Sequence, residues 1–149
     1  MTKDVLISIK GLQFQPLADG EKIEVITGGN YYKKRNKHYL MYEEVGEDAG
    51  NVTKNLVKFD DKTFSLTKSG SANVNMVFEE NKRNITNYIT PFGSLVIGID
   101  ASNVDIKESD EEINIRINYA LDINYEHFAD CEILMDVRAK SRNSENLLS

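Results

Sequence analysis

Between Glu112 and Asn124 the chain alternates without a break. Ile113, Ile115, Ile117, Tyr119, Leu121 and Ile123 fall on one parity, and Asn114, Arg116, Asn118, Ala120, Asp122 and Asn124 fall on the other. A period of two places successive side chains on opposite faces of a strand, whereas a helix would scatter these isoleucines around its circumference. The segment therefore predicts a strand with one face in a core. Shorter runs repeat the pattern: Val5, Ile7 and Ile9; Ile23, Val25 and Thr27; HYLMYEEV from 38 to 45; LVKF and TFSLT on either side of Asp60-Asp61-Lys62. NVNMVFE, NITNYIT, SLVIGI, NVDIKE and CEILMDV continue it toward the C-terminus, the last with Cys131, Ile133, Met135 and Val137 on one face.

Polar turns separate these runs, and no segment has a helical period of useful length. Short strands at regular spacing predict an all-β chain, a sandwich or a barrel. Closure also removes the exposed edges that strands as long as 112–124 would leave. The expected architecture is a closed antiparallel β-barrel of about 8–10 strands.

Composition sets the bounds on function. At 149 residues the chain suits one domain, expected over residues 1–140, with the polar SRNSENLLS at 141–149 as a loose tail. A net charge of -6 and a pI near 5.0 argue against a broad nucleic-acid surface, which needs clustered cations. No run approaches the roughly 18–20 apolar residues of a membrane helix, and MTKDVLISIKG is no signal peptide, so no membrane association and a cytoplasmic location are expected. The single cysteine, Cys131, allows no intrachain disulfide, and two histidines, His38 and His127, give no recognisable metal spacing. No cofactor is implied.

VLISIKG near the start, GGNYYKKRNKHYLMYEE in the second hairpin and SGSANVNMVFEENKRNITNYITPFGSLVIGI further on resemble the YwiB-like family of uncharacterised bacterial β-barrel proteins. The resemblance runs in order from about residue 3 to 139, with MVFEENKRNITNYITPFG its most specific stretch. It implies a barrel of the calycin, or lipocalin-like, type, and it implies no activity. The chain has no tryptophan, so the Gly-X-Trp signature of true lipocalins is missing.

A barrel of this size can be filled by side chains or can hold one small ligand. Polar residues share strands with apolar ones, among them Tyr42 with Glu44, Asn73 with Asn75, and Thr86 with Tyr88. Facing inward they would offer hydrogen bonds above an apolar floor; the plainer reading is the solvent face of each strand. Glu43-Glu44 and Glu79-Glu80 are neighbours in sequence, so in a strand they point apart and cannot act on one atom. KKRNKH (33–38) could stack and bind phosphate together with Tyr31 and Tyr32, but it reads first as a solvated hairpin tip. His127 reads as a surface loop residue, Cys131 as an inert thiol on an apolar face, and Gly28-Gly29 as a bend.

The expected function is non-enzymatic binding of a small, partly apolar molecule inside the barrel, with Tyr42, Asn75, Arg83 and Tyr88 as candidate contacts. The alternative is a protein-interaction module with a filled barrel and an outer surface built on Tyr31, Tyr32 and Tyr39. An enzyme comes third, since no nucleophile–base pair is visible. Thr90-Pro91-Phe92-Gly93 is expected to be a corner with Gly93 at positive φ, and Tyr88 and Phe92 could line one end of the barrel.

Overall fold

The computed structural model describes residues 4–11, 24–45, 52–70 and 73–140. Ten strands follow one another: β1 (Asp4–Lys10), β2 (Glu24–Lys34), β3 (Lys37–Val45), β4 (Val52–Phe59), β5 (Thr63–Ser69), β6 (Val74–Glu79), β7 (Lys82–Thr90), β8 (Gly93–Glu108), β9 (Glu112–Ile123) and β10 (Glu126–Ala139). Each pairs antiparallel with its neighbours in the order β6-β5-β4-β3-β2-β1-β10-β9-β8-β7. The sheet curls until β6 and β7 meet. They exchange two backbone bonds, Asn73 N–H to Ile89 O and Ile89 N–H to Asn73 O, both 2.8 Å. The result is a nearly closed up-and-down barrel, as the calycin-type resemblance implies. The expected tail at 141–149 and Ile23 lie outside the described residues.

Turn chemistry fixes the register. Arg35 and Asn36, both at positive φ, make the two-residue turn from β2 to β3. Asp60 Oδ1 accepts from the N–H groups of Lys62 (2.9 Å) and Thr63 (2.8 Å), turning β4 into β5. Gly93 has φ +133°, as the corner reading expected, and Thr90 pairs with it across Pro91 and Phe92. Phe92 is 98% exposed, however, so it does not line the barrel. SLVIGI and NVDIKE form one strand, because a bulge between Ala101 and Asn103 lets β8 bend without breaking its ladder to β9.

The inward parity of nearly every strand is apolar. Val5, Ile7, Leu40, Val57, Phe64, Leu66, Met76, Phe78, Ile97, Ile99, Ile113, Ile117 and Ile133 are wholly buried. Register sets an aromatic row across the interior. His38 stacks on its cross-strand partner Phe59 at 4.5 Å, and Phe59, Phe64 and Phe78 continue the row through successive register pairs. Phe78 then meets Tyr119 of β9, in a distant part of the sheet, edge-on at 5.0 Å. Side chains therefore fill the interior at this level.

Candidate functional site

β2 serves two partners. Glu24–Asn30 pair with β1, whereas only Asn30–Lys34 pair with β3. Beyond the pair Asn30–Met41 the two strands diverge, and the wall of the barrel opens as a wedge. Glycine makes the divergence possible: a Cβ on Gly29 would lie 2.6 Å from Ile7 Cδ1 and 2.7 Å from the Met41 carbonyl oxygen. No side chain fits there, so the glycine allows a close approach of backbones, while the β1–β2 register runs through Gly28-Gly29 without the expected bulge. The wedge is a cleft of about 840 Å³, within the usual size of ligand pockets. Of its lining residues, Met41 and Val45 are exposed apolar side chains on the β3 side, facing Thr27, Gly28 and Gly29 of β2. Between the lips it reaches inward-facing Tyr42 and Asn55.

Behind Asn55 lies a paired polar group. Glu44 Oε1 accepts from Lys68 Nζ (2.5 Å) and from Asn55 Nδ2 (2.9 Å), and Lys68 Nζ also donates to Asn55 Oδ1 (3.0 Å). The Lys68 side chain is only 12% exposed and Asn55 is 2% exposed, so this ring of bonds satisfies groups that burial would otherwise penalise. Burial, and then the charge of Glu44, push the hydroxyls of Tyr42 and Tyr88 above the ordinary phenol pKa. Both stay protonated and able to donate, while Glu44, with 42% of its side chain exposed, keeps acceptor capacity beyond its bonds to Lys68 and Asn55.

Of the four candidate contacts, Tyr42 and Tyr88 face inward and come together in the field of Glu44. Asn75 and Arg83 lie on the outer face. Asn75 Oδ1 accepts from Thr67 Oγ1 at 3.0 Å. Arg83 lies over Gly98 and binds Asp100 of β8 (2.5 Å) and Asp122 of β9 (2.7 Å), a clamp across three strands. Asn55 and Lys68 were not singled out from the sequence, whereas Glu44 was noted for sharing a parity with Tyr42. Asn55 did carry a signal, since it shares the core parity of Val57 and Phe59.

At the opposite end of the barrel a second polar group ties distant strands together. Tyr31 Oη lies 2.6 Å from His38 Nδ1, His38 Nε2 is 3.6 Å from Glu108 Oε1, and Lys33 Nζ donates to the same oxygen at 3.2 Å. Glu108 comes from β8, far around the sheet from β2 and β3, so the group spans the barrel end. Tyr31 and His38 are buried, which removes Tyr31 from the exposed aromatic surface expected at the basic hairpin. Tyr32 and Tyr39 do form such a surface, stacked at 4.7 Å. Burial and then Glu108 push the Tyr31 hydroxyl up to about 12. His127 is exposed beside Asp122 and Asp130. The thiol of Cys131 faces the buried hydroxyl of Tyr119, its register partner, and that hydroxyl is raised first by burial and then by the thiol. Among the described residues no three His, Cys, Asp or Glu side chains gather as a metal site.

A filled antiparallel barrel, split along one side beside a paired polar group, defines the class: a β-barrel protein with a lateral cleft. Residues 7–135 match the family described as a domain of unknown function, DUF1934, and the chain belongs to that family. It is similar to the uncharacterized beta-barrel protein YwiB of Bacillus subtilis (strain 168), with 32% identity over 106 residues, 71% of this chain and 73% of that protein. The crystal structure of ywiB protein from Bacillus subtilis superposes with a TM-score of 0.73 at 26% identity, covering 93% of each chain.

Proposed function

We propose that this barrel is a binding protein that takes a small, partly apolar molecule through the wedge between β2 and β3. One observation carries the reading: a single cleft sets the exposed apolar side chains Met41 and Val45 beside the inward polar groups Tyr42 and Asn55, the latter held by Glu44. Apolar walls supply affinity and a few fixed polar groups supply orientation, the usual division of labour in ligand pockets. The filled interior favours the wedge over the barrel centre as the receiving space. The stacked pair Tyr32–Tyr39 on the outer face supports a second reading, a surface that recruits a protein.

A thermal-shift screen of small amphipathic compounds, followed by ¹H–¹⁵N NMR titration, tests the first reading. Bound compounds should shift Gly28, Tyr42 and Val45, and Tyr42→Phe should weaken binding about fivefold by removing one hydrogen bond. Shifts confined to Tyr32 and Tyr39, or no stabilising compound at all, would count against it.

A further inference from the structure

The two lips of the wedge are strand edges. In the two-residue hairpin of β2 and β3 the pairs Lys34–Lys37, Tyr32–Tyr39 and Asn30–Met41 are the hydrogen-bonded ones, because such pairs alternate along an antiparallel ladder. The next in the series would be Gly28–Glu43 and Ile26–Val45. Those are the residues the divergence separates. By that alternation the N–H and C=O groups of Glu43 and Val45, and of Gly28 and Ile26, are directed at the opening with no strand partner among the described residues, the Gly28 carbonyl accepting from Thr27 Oγ1 at 3.2 Å. Free edges of this kind bind extended chains by strand addition.

From this geometry we infer that the ligand of the cleft is a short extended peptide of about four or five residues with a free C-terminal carboxylate, held between β2 and β3. The inference rests on the ligand reading of the cleft and names its chemical class. Antiparallel pairing with β3 runs the peptide toward the point where the strands meet. Of the charged residues lining the cleft, Asp4, Glu43, Lys54 and Lys140, the last supports the same direction. The Lys140 ammonium, 3.4 Å from where a Cβ on Gly28 would stand, makes no ion pair among the described residues and lines the cleft near that point. A terminal carboxylate arriving there meets it. Alternation then sorts the peptide's side chains. Those opposite Glu43 and Val45 lie on the outer face beside Val45 and Ile26 and are apolar. Those opposite Tyr42 and Glu44 point inward and carry hydroxyls.

The test is fluorescence-polarisation binding of a labelled pentapeptide of alternating valine and threonine with a free carboxylate, mapped by ¹H–¹⁵N NMR. Saturable binding with shifts at Glu43 and Val45 is expected. N-methylation of the peptide amides facing β3 should abolish binding, and C-terminal amidation should weaken it about threefold, the scale of one exposed ion pair. Lys140→Met should erase the difference between acid and amide. Val45→Pro, which removes an N–H only at the free edge, should abolish binding while circular dichroism and melting temperature stay near wild type. Equal binding of the N-methylated peptide overturns the inference, as does a dimer in sedimentation that covers Glu43–Val45. If small amphipathic compounds bind in the wedge and no peptide does, this inference falls and the ligand reading stands; if neither binds, both fall.

Discussion

His38 shows how one residue type changes meaning with burial. It begins β3 beside an exposed basic turn, yet its ring stacks on Phe59 and its Nδ1 meets Tyr31. Burial lowers its pKa from the ordinary 6.5, against Glu108 and Asp60, which raise it, and with Lys33, which lowers it further. The folded state thus binds the proton less readily than the unfolded chain, so stability is full above pH 6.5 and falls as the pH drops below it. Thermal unfolding from pH 8 to pH 5 should show that decline in wild type. His38→Gln should cost about 1 kcal/mol at pH 8 through the altered Tyr31 contact, and should flatten the His38 part of the decline. Identical pH profiles for the two proteins would mean that His38 does not titrate differently on folding.

At the scale of the element, the adjacent glycines of β2 have separate roles. Gly29 sits against Ile7 and the Met41 carbonyl, where a Cβ has no room, while Gly28 meets only the flexible end of Lys140. Gly29→Val should destabilise the protein by about 1–3 kcal/mol through overpacking, and Gly28→Ala should leave stability within about 0.5 kcal/mol. Chemical denaturation of the two variants checks this, and equal stabilities would remove the steric account of the wedge. Sequence reading expected a bend or bulge at these glycines and did not find the opening beside them, which depends on which neighbour β2 pairs with on each side of Asn30.

The whole barrel closes at one end of the β6–β7 hairpin and stays unzipped along the rest. Asn73 and Ile89 exchange bonds, so by alternation the N–H groups of Asn75, Val77 and Glu79, and of Ile85 and Asn87, point into the seam, while those of Val74, Met76 and Phe78 bond to β5. Native-state hydrogen exchange should show this as a stripe: fast amides at Asn75, Val77 and Glu79 between slow ones at Met76 and Phe78. Uniform protection along β6 would show that the seam is zipped in solution. The curl of the sheet also brings Glu108 to Lys33 and His38, pairs that no local pattern announces, whereas Arg83 meets Asp100 and Asp122 through the successive hairpins of β7, β8 and β9.

The alternation of Ile113 to Ile123, the turn residues Arg35-Asn36 and Asp60, and the corner at Pro91–Gly93 were enough by themselves to specify strands, hairpins and an all-β barrel. Period and turn geometry act over a few residues and leave their mark in the chain. They also put Tyr42 and Glu44 on one parity, without deciding which way it faces. Which inward residues meet was decided only by the tertiary structure. The ring of Glu44, Asn55 and Lys68 draws on three strands, and Tyr88 lies within the field of Glu44 from a fourth. Asn75 and Arg83, no less polar in the sequence, fall outside because their parity faces solvent. A site assembled across a curled sheet depends on register and closure, and those arise from long-range pairing that a linear pattern constrains without determining.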